Sequence, residues 1–265
     1  MVTSEANATR NGDYIDTGRV HTYYEVNGSG DPLILLHGGM CTAETFDGQT
    51  PALAEHFRVY LPERRAHGRT ADVPGPITYE IMAQDTIAFI EAVGIERAHL
   101  VGWSDGALVG LLVALWRPEL VGKLVLMAQS VNWEGLRPEM APFAGHMTKE
   151  MLPPDLKHAY EALSPDGPDH LGTVLDKMLP LWNTDPAFPL SDLERVVAPT
   201  LVLAADDDVT LSIEHAAAMQ RALPDSQLAV VPGTSHAVPL EKPELVNRLI
   251  LDFLAEDQVE KRFKL

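Results

Sequence analysis

The sequence predicts an α/β protein with a mostly parallel, doubly wound sheet and a helical segment inserted into it. Short, continuous apolar runs alternate with helical stretches along most of the chain. Such runs are typical of strands buried on both faces, and their alternation with helices is typical of a parallel sheet covered by helices. The alternation stops near Gln129 and resumes after Val197. Residues 129–197 are therefore predicted to be an insertion, and residues 1–128 and 198–265 the core domain.

Apolar runs and period-two alternation place the strands, and apolar spacing of three and four residues places the helices. The predicted strands are Val20–Val26, Pro32–Leu36, Phe57–Leu61, His99–Val101, Lys123–Ala128, Thr200–Ala205 and Gln227–Val231. The predicted core helices are Tyr79–Val93, Ser104–Trp116, Ile213–Leu223 and Pro243–Ala255, and the insertion is predicted to hold helices at Asp155–Leu163 and Asp169–Trp182.

Composition excludes several classes of protein. The chain has 265 residues, of which 20 are basic and 38 acidic, for a net charge of −18, and such a surface repels nucleic acid and anionic lipid. The longest apolar stretch, Leu108–Trp116, is about half of what a bilayer span needs. The single cysteine, Cys41, excludes an internal disulfide, and the polar N-terminus lacks a signal-peptide pattern. We therefore expect a cytoplasmic protein.

The sequence Gly102-Trp103-Ser104-Asp105-Gly106 matches the G-x-S-x-G pattern of a nucleophilic serine. It lies between a predicted strand and a predicted helix, where a sharp turn requires small neighbours and holds the hydroxyl above the carboxyl edge of the sheet. The helix N-terminus offers free N–H groups to a developing oxyanion. We predict that Ser104 is the nucleophile.

A serine nucleophile needs a base, and the base needs an acid that orients it. His236 directly follows the last predicted strand, so it lies at the same edge of the sheet and comes after the serine in the chain. Three acids, Asp206, Asp207 and Asp208, follow the strand Thr200–Ala205. The residues alone leave open which of the three orients His236, since most residues of an acidic loop are simply solvated.

The sequence His37-Gly38-Gly39-Met40 follows the strand Pro32–Leu36, where glycines let the backbone approach a reacting carbonyl. We predict an oxyanion hole formed by an N–H of Gly39 or Met40 together with that of Asp105. The alternative is a simple turn that ends the strand.

These motifs together resemble the α/β-hydrolase superfamily, in its small cap-bearing serine esterase, lactonase and perhydrolase branch. His37-Gly38-Gly39 is similar to the family's H-G-x, and Gly233-Thr234-Ser235-His236 to its G-x-x-H. The stretch Glu63–Thr70 is similar to an acid followed by R-G-x-G-x-S, departing from it at Glu63, Ala66 and Thr70. The resemblance covers residues 20–253, selects Asp208 as the acid and implies an α/β-hydrolase fold whose helical cap is inserted after the sixth strand.

Substrate contacts are expected from the loop after the third strand and from large apolar side chains near the nucleophile or in the insertion. Asp105 is a special case, because its carboxylate either recognises a cationic group such as the amine of an amino-acid ester or interacts with the helix N-terminus. Some family members with a similar G-W-S-D-G sequence hydrolyse amine-bearing esters. The predicted substrate-binding residues are His37, Gly38, Trp103, Asp105, Trp133, Phe143, Met147 and Trp182.

The sequence thus predicts a serine hydrolase that cleaves a small-molecule ester or lactone through an acyl-enzyme, acting as a monomer or homodimer without cofactor or metal. The alternative is a non-hydrolytic member of the same fold: a ligand receptor, a lyase or a cofactor-free perhydrolase. Two further hypotheses are weaker. A Cys41 nucleophile competes with Ser104, and Asp206 and Asp208 are too close in sequence to point to one metal ion.

Overall fold

Eight strands form one sheet in a computed structural model of the chain, which describes residues 12–184 and 186–255, except for the side chain of Phe143. The strands lie in the order β1-β2-β4-β3-β5-β6-β7-β8. Strands β3 to β8 run parallel to one another, and β2 is antiparallel to both of its neighbours, β1 and β4. Their bounds are β1 Gly12–Asp16, β2 His21–Asn27, β3 Asp31–Leu36, β4 Phe57–Pro62, β5 Ala98–Trp103, β6 Val121–Met127, β7 Thr200–Ala205 and β8 Ser226–Val231.

The predicted class, a mostly parallel doubly wound sheet, is confirmed. The strand β1 is missing from the prediction because its sequence, GDYID, is polar and its residues are largely exposed. The α-helices in the described part of the chain are α1 Thr50–Ala54, α2 Tyr79–Ala92, α3 Asp105–Trp116, α4 Pro154–Leu163, α5 Leu171–Trp182, α6 Ile213–Ala222, α7 Val238–Glu241 and α8 Pro243–Leu254.

Alternate residues of the central strands enter two different cores. Leu33, Leu35, Val101, Val125 and Leu201 lie on one face, where they pack with side chains of α1 and α8. Their neighbours in sequence lie on the opposite face and pack with α2, α3 and α6. Burial on both faces explains why these strands are continuous apolar runs in the sequence.

Residues 128–199, between β6 and β7, contain α4 and α5 and several short 3-10 turns, but no sheet strand among those that the structure describes. Helix α5 is attached to the loop that follows β4. Lys177 Nζ lies 2.7 Å from Asp72 Oδ2 and donates to the Val73 carbonyl at 2.9 Å. His170 Nε2, just before α5, lies 2.9 Å from the same carboxylate.

The sheet order reverses direction at β3, which lies between β4 and β5. In doubly wound sheets, ligands bind outside the carboxyl ends of the strands at such a switch point. The loop after β3 and the turn after β5 meet there, because Leu36 and Gly102 are register partners. In the described part of the chain, no helix is long and apolar enough to cross a lipid bilayer.

Candidate active site

The turn between β5 and α3 is strained at Ser104, which has φ 53° and ψ −125°. A non-glycine residue with positive φ is costly and is found where a tight turn imposes it, as in a nucleophile elbow. The Ser104 N–H donates to the Met127 carbonyl at 2.9 Å, which fixes the turn against β6. Gly106 is required because a Cβ there would clash with the carbonyl oxygen of Leu36. Close packing of β3 on α3 therefore shapes the turn.

The structure brings together Ser104, His236 and Asp208 from the ends of β5, β8 and β7. Ser104 Oγ lies 3.0 Å from His236 Nε2, and His236 Nδ1 lies 2.8 Å from Asp208 Oδ2. Asp208 is 1% exposed, whereas the His236 side chain is 35% exposed. The three side chains thus form a continuous hydrogen-bonded chain from a buried carboxylate to the serine hydroxyl.

The surroundings of Asp208 keep it ionised and fix the tautomer of His236. Burial would raise the pKa of Asp208, but hydrogen bonds from His236 and from the N–H groups of Thr210 and Leu211 lower it below its ordinary value. A carboxylate only accepts hydrogen bonds, so Nδ1 of His236 must carry the proton. In the neutral ring, Nε2 is then free to accept the Ser104 proton.

Two groups that hold the loop of His236 also lie at this edge of the sheet. The Trp103 indole donates to the His236 carbonyl at 2.8 Å. Asp206, expected to be a solvated loop residue, accepts from the N–H groups of Gly233 and Thr234. This second contact could not be predicted from the sequence, because an exposed acid two residues before the proposed catalytic acid has no distinguishing pattern.

The loop after β3 lies directly beside the serine. A Cβ added to Gly38 would be 3.4 Å from that of Ser104. Met40 is 2% exposed and has φ 56°, so the loop reverses sharply there. Asp105 is the first residue of α3, and its N–H belongs to the first turn, whose donors have no acceptor within the helix. The predicted oxyanion residues Gly39, Met40 and Asp105 therefore lie together.

The Asp105 carboxylate is 4% exposed and is held by two neutral donors. Tyr79 Oη donates to Oδ1 at 2.9 Å, and Trp182 Nε1 donates to Oδ2 at 2.9 Å. Tyr79 begins α2 and Trp182 ends α5, so this carboxylate joins three helices. Tyr79 could not be predicted as a site residue from the sequence, because one tyrosine at a helix start has no distinguishing pattern.

The other residues predicted to contact substrate have varied surroundings. His37 is buried, with Nε2 accepting from the Arg64 N–H at 3.1 Å, and burial together with the Arg64 charge lowers its pKa. Met147 forms two backbone hydrogen bonds with the Asn183 side chain, at 2.6 and 2.9 Å. Trp133 lies in a half-buried turn in the insertion, and the side chain of Phe143 lies outside the described part of the chain.

A cleft of about 470 Å³ lies between the start of α2 and the end of α5. Tyr79 forms part of its lining, so the cleft ends one side chain away from Asp105. Its walls are largely apolar and include Pro76, Ile77, Pro180, Leu181 and Phe188.

Cys41 is buried behind the loop, and burial raises the pKa of its thiol to about 12. A thiol with that pKa is a poor nucleophile at neutral pH. Among the described residues, no three His, Cys, Asp or Glu side chains are grouped as a metal site requires.

A serine on a strained strand–helix turn of a doubly wound sheet, facing a histidine from a later strand end, defines the α/β-hydrolase class. A model of the alpha/beta hydrolase family matches residues 33–249, so the chain belongs to that family. The resemblance of the sequence to the α/β-hydrolase superfamily is thereby confirmed.

The relatives include hydrolases of several kinds and a putative non-heme chloroperoxidase of Synechocystis sp. (strain ATCC 27184 / PCC 6803 / Kazusa), which is 28% identical to this chain. The chain is 28% identical over 264 residues to a putative carbamate hydrolase of Caulobacter sp. (strain K31), covering 88% of this chain and 95% of the relative. It is 27% identical to a 2-hydroxy-6-oxo-6-(2'-aminophenyl)hexa-2,4-dienoic acid hydrolase of Metapseudomonas resinovorans, covering 91% and 90%. A meta-cleavage product hydrolase of Pseudomonas fluorescens IP01 has the same fold, with TM-score 0.77, 22% identity and coverage of 91% and 97%.

Proposed function

We propose that this chain is a serine hydrolase that cleaves a small-molecule ester or lactone through an acyl-enzyme. The observation that carries the proposal is the unbroken chain of hydrogen bonds from Asp208 through His236 to Ser104, with distances of 2.8 and 3.0 Å. An aligned acid, base and nucleophile of this kind is the arrangement that acyl transfer requires.

In the first step, His236 Nε2 takes the proton of Ser104 as Oγ attacks the substrate carbonyl. Asp208 accepts a hydrogen bond from Nδ1 and stabilises the imidazolium that forms. His236 then donates its proton to the leaving oxygen, and the acyl-enzyme remains. In the second step, His236 takes a proton from a water molecule as it attacks the acyl carbon, the bond from that carbon to Ser104 Oγ breaks, and His236 returns the proton to Oγ as the acid leaves.

We assign stabilisation of the negative charge on each tetrahedral intermediate to hydrogen bonds from the N–H groups of Asp105 and of Met40 or Gly39. The first belongs to the N-terminal turn of α3, and the others to the loop after β3. Support comes from the position of this loop directly beside Ser104. Donors fixed by backbone geometry need no reorganisation when the charge develops, and each such donor accounts for about a hundredfold to a thousandfold in rate.

We assign substrate selection to the insertion at residues 129–197, acting as a cap over the serine. The support is one contact: Trp182, in α5, donates to the carboxylate next to the nucleophile. The relatives suggest which substrates to compare, because they include hydrolases named for a carbamate and for a dienoic acid. A panel of esters, lactones, carbamates and thioesters, ranked by kcat/KM, would identify the class.

The test of the proposed nucleophile is Ser104→Ala. We expect covalent labelling by a fluorophosphonate to disappear and kcat on a chromogenic ester to fall by several orders of magnitude, with the melting temperature nearly unchanged. Labelling that persists in the variant would show that Ser104 is not the nucleophile. Stoichiometric ligand binding by the wild type, without turnover or labelling, would favour a receptor.

A further inference from the structure

Arg64 is buried behind the loop that follows β3 and binds that loop through two carbonyl groups. Its side chain is 5% exposed. Nη1 donates to the His37 carbonyl, and Nη2 donates to the Gly38 carbonyl at 3.0 Å. Its backbone N–H donates to His37 Nε2 at 3.1 Å, while Nε is without a hydrogen-bond partner among the described residues. In the stretch that follows β4, Arg65-Ala66-His67-Gly68-Arg69-Thr70 aligns with R-G-x-G-x-S and Glu63 with the acid, so Arg64 is not one of the residues that the family resemblance selects.

Such burial of a cation is costly unless a negative charge lies nearby. The described residues contain no carboxylate in ion-pair contact with Arg64. Burial lowers the pKa of Arg64 to about 10, and the carboxylate of Asp105 acts in the opposite direction. Arg64 is therefore still a cation at neutral pH.

Asp105 touches the same loop. A Cβ added to Gly39 would clash with Asp105 Oδ2. Two charged groups therefore contact the loop segment 37–39. The guanidinium of Arg64 donates to the carbonyls of His37 and Gly38, and the carboxylate of Asp105 packs against Gly39. Both charges are buried, and both lie beside the segment whose N–H groups are assigned to the oxyanion.

A carboxylate in this position would oppose the formation of a negative tetrahedral intermediate. We propose that Arg64 is a positioning residue for the proposed hydrolysis, which fixes the oxyanion loop through the carbonyls of His37 and Gly38 and offsets the charge of Asp105. This inference rests on the proposed function. It assigns a role to an arginine that does not touch the substrate itself.

The test is a double-mutant cycle with Arg64→Met and Asp105→Asn, measured on a neutral ester. Arg64→Met should lower kcat about tenfold to a hundredfold with KM nearly unchanged, a smaller loss than removal of an oxyanion donor. In the Asp105→Asn background, the same substitution should lower kcat by a smaller factor, about threefold to tenfold, because the charge that Arg64 offsets is absent and only its contacts with the carbonyls of His37 and Gly38 are lost. Arg64→Lys, which retains the positive charge but not the paired donors, should fall between the wild type and Arg64→Met.

A purely structural role for Arg64 gives a different result. It predicts equal losses in both backgrounds, together with lower melting temperatures, and that outcome would overturn the proposal. Failure of the proposed function is recognised separately, because the wild type would then show no turnover and no labelling at Ser104.

A second measurement applies even if Arg64→Met does not fold. A boronic acid forms an anionic tetrahedral adduct on a nucleophilic serine, so its affinity reports on charge at the oxyanion site. Asp105→Asn retains Arg64 and should bind a phenylboronic acid about threefold to tenfold more tightly than the wild type. Unchanged or weaker binding would contradict the proposed compensation of charge.

Discussion

Asp208 and its two neighbours share a loop but not their surroundings. Asp208 is buried and bonded to His236, so Asp208→Asn should lower kcat on the order of 10⁴-fold, because the imidazole loses the partner that selects its tautomer. Asp207→Asn is the matched control and should change kcat less than about twofold, since its side chain is exposed. Steady-state kinetics on one chromogenic ester would measure the kcat of both variants.

Asp206→Ala should give an intermediate result. Its carboxylate accepts from the N–H groups of Gly233 and Thr234, which precede His236 by three and two residues. Loss of these contacts should loosen the histidine loop and lower kcat by about threefold to tenfold, an effect in the range of an ordinary hydrogen bond, because the carboxylate is exposed to solvent. A loss at Asp206 or Asp207 that exceeds the loss at Asp208 would show that the acid is assigned to the wrong residue.

The role of a residue could be predicted from the sequence only where a local sequence pattern indicates that role. Ser104 has its flanking glycines and His236 its position after a strand, and the two residues follow the ends of β5 and β8 at the carboxyl edge of the sheet. The choice of Asp208 needed the family resemblance as well, because three adjacent acids are equivalent in composition. The contacts of Arg64 and Tyr79 join elements that are distant in the chain, and no local pattern encodes such contacts.

At the scale of elements, helix α5 is attached to the core at both ends. Lys177 and the preceding His170 bind Asp72, in the loop after β4, and Trp182 binds Asp105, at the start of α3. The helix itself was predicted as Asp169–Trp182, and its first residues form a 3-10 turn in the structure. Amphipathic spacing predicted the helix, whereas its attachments depend on the tertiary arrangement.

We expect Asp72→Asn to lower the free energy of unfolding by about 1–3 kcal/mol at pH 7, the cost of leaving a partly buried cation without its partner. Burial would raise the pKa of Asp72, but Lys177 and His170 hold it below its ordinary value of 3.8. The carboxylate therefore stabilises the fold above pH 3.8, and this contribution is lost as the pH falls through the lowered pKa. The free energy of unfolding, measured by urea titration from pH 8 to pH 3, should differ between the variant and the wild type by an amount that shrinks only below about pH 4.

Asp176→Asn is the control for that experiment, because Asp176 lies in the same helix and forms an exposed ion pair with Lys149. Loss of this ion pair should lower the free energy of unfolding by less than about 0.5 kcal/mol. Equal effects of the two substitutions would mean that Asp72 does not anchor the helix.

At the scale of the whole molecule, the net charge of −18 has a kinetic consequence. A negative protein repels an anionic substrate, and salt screens this repulsion as the Debye length falls from about 30 Å at 0.01 M to about 8 Å at 0.15 M. Over that range, kcat/KM for an anionic ester should rise by about twofold to fivefold, while a neutral ester of equal size should change little. A fall for the anionic ester would indicate a local positive field at the site that outweighs the net charge.

The sheet was largely predictable because burial on both faces leaves long apolar runs, as in β3 and β7. The strand β1 could not be predicted, because an exposed edge strand of sequence GDYID needs no apolar pattern. The role of residues 129–197 as a cap remains a prediction, supported by the contact of Trp182 with Asp105.

That contact also gives the molecule an optical property. Indole emission responds to the polarity and hydrogen bonding of its surroundings, and the Trp182 indole is bonded to a carboxylate one residue from the proposed nucleophile. The chain has four tryptophans, and replacement of Trp116 and Trp133 with phenylalanine would leave Trp182 together with Trp103, whose indole holds the loop of His236. The fluorescence of these two indoles, both beside the proposed site, would then respond to acylation of Ser104 in real time, without any attached dye.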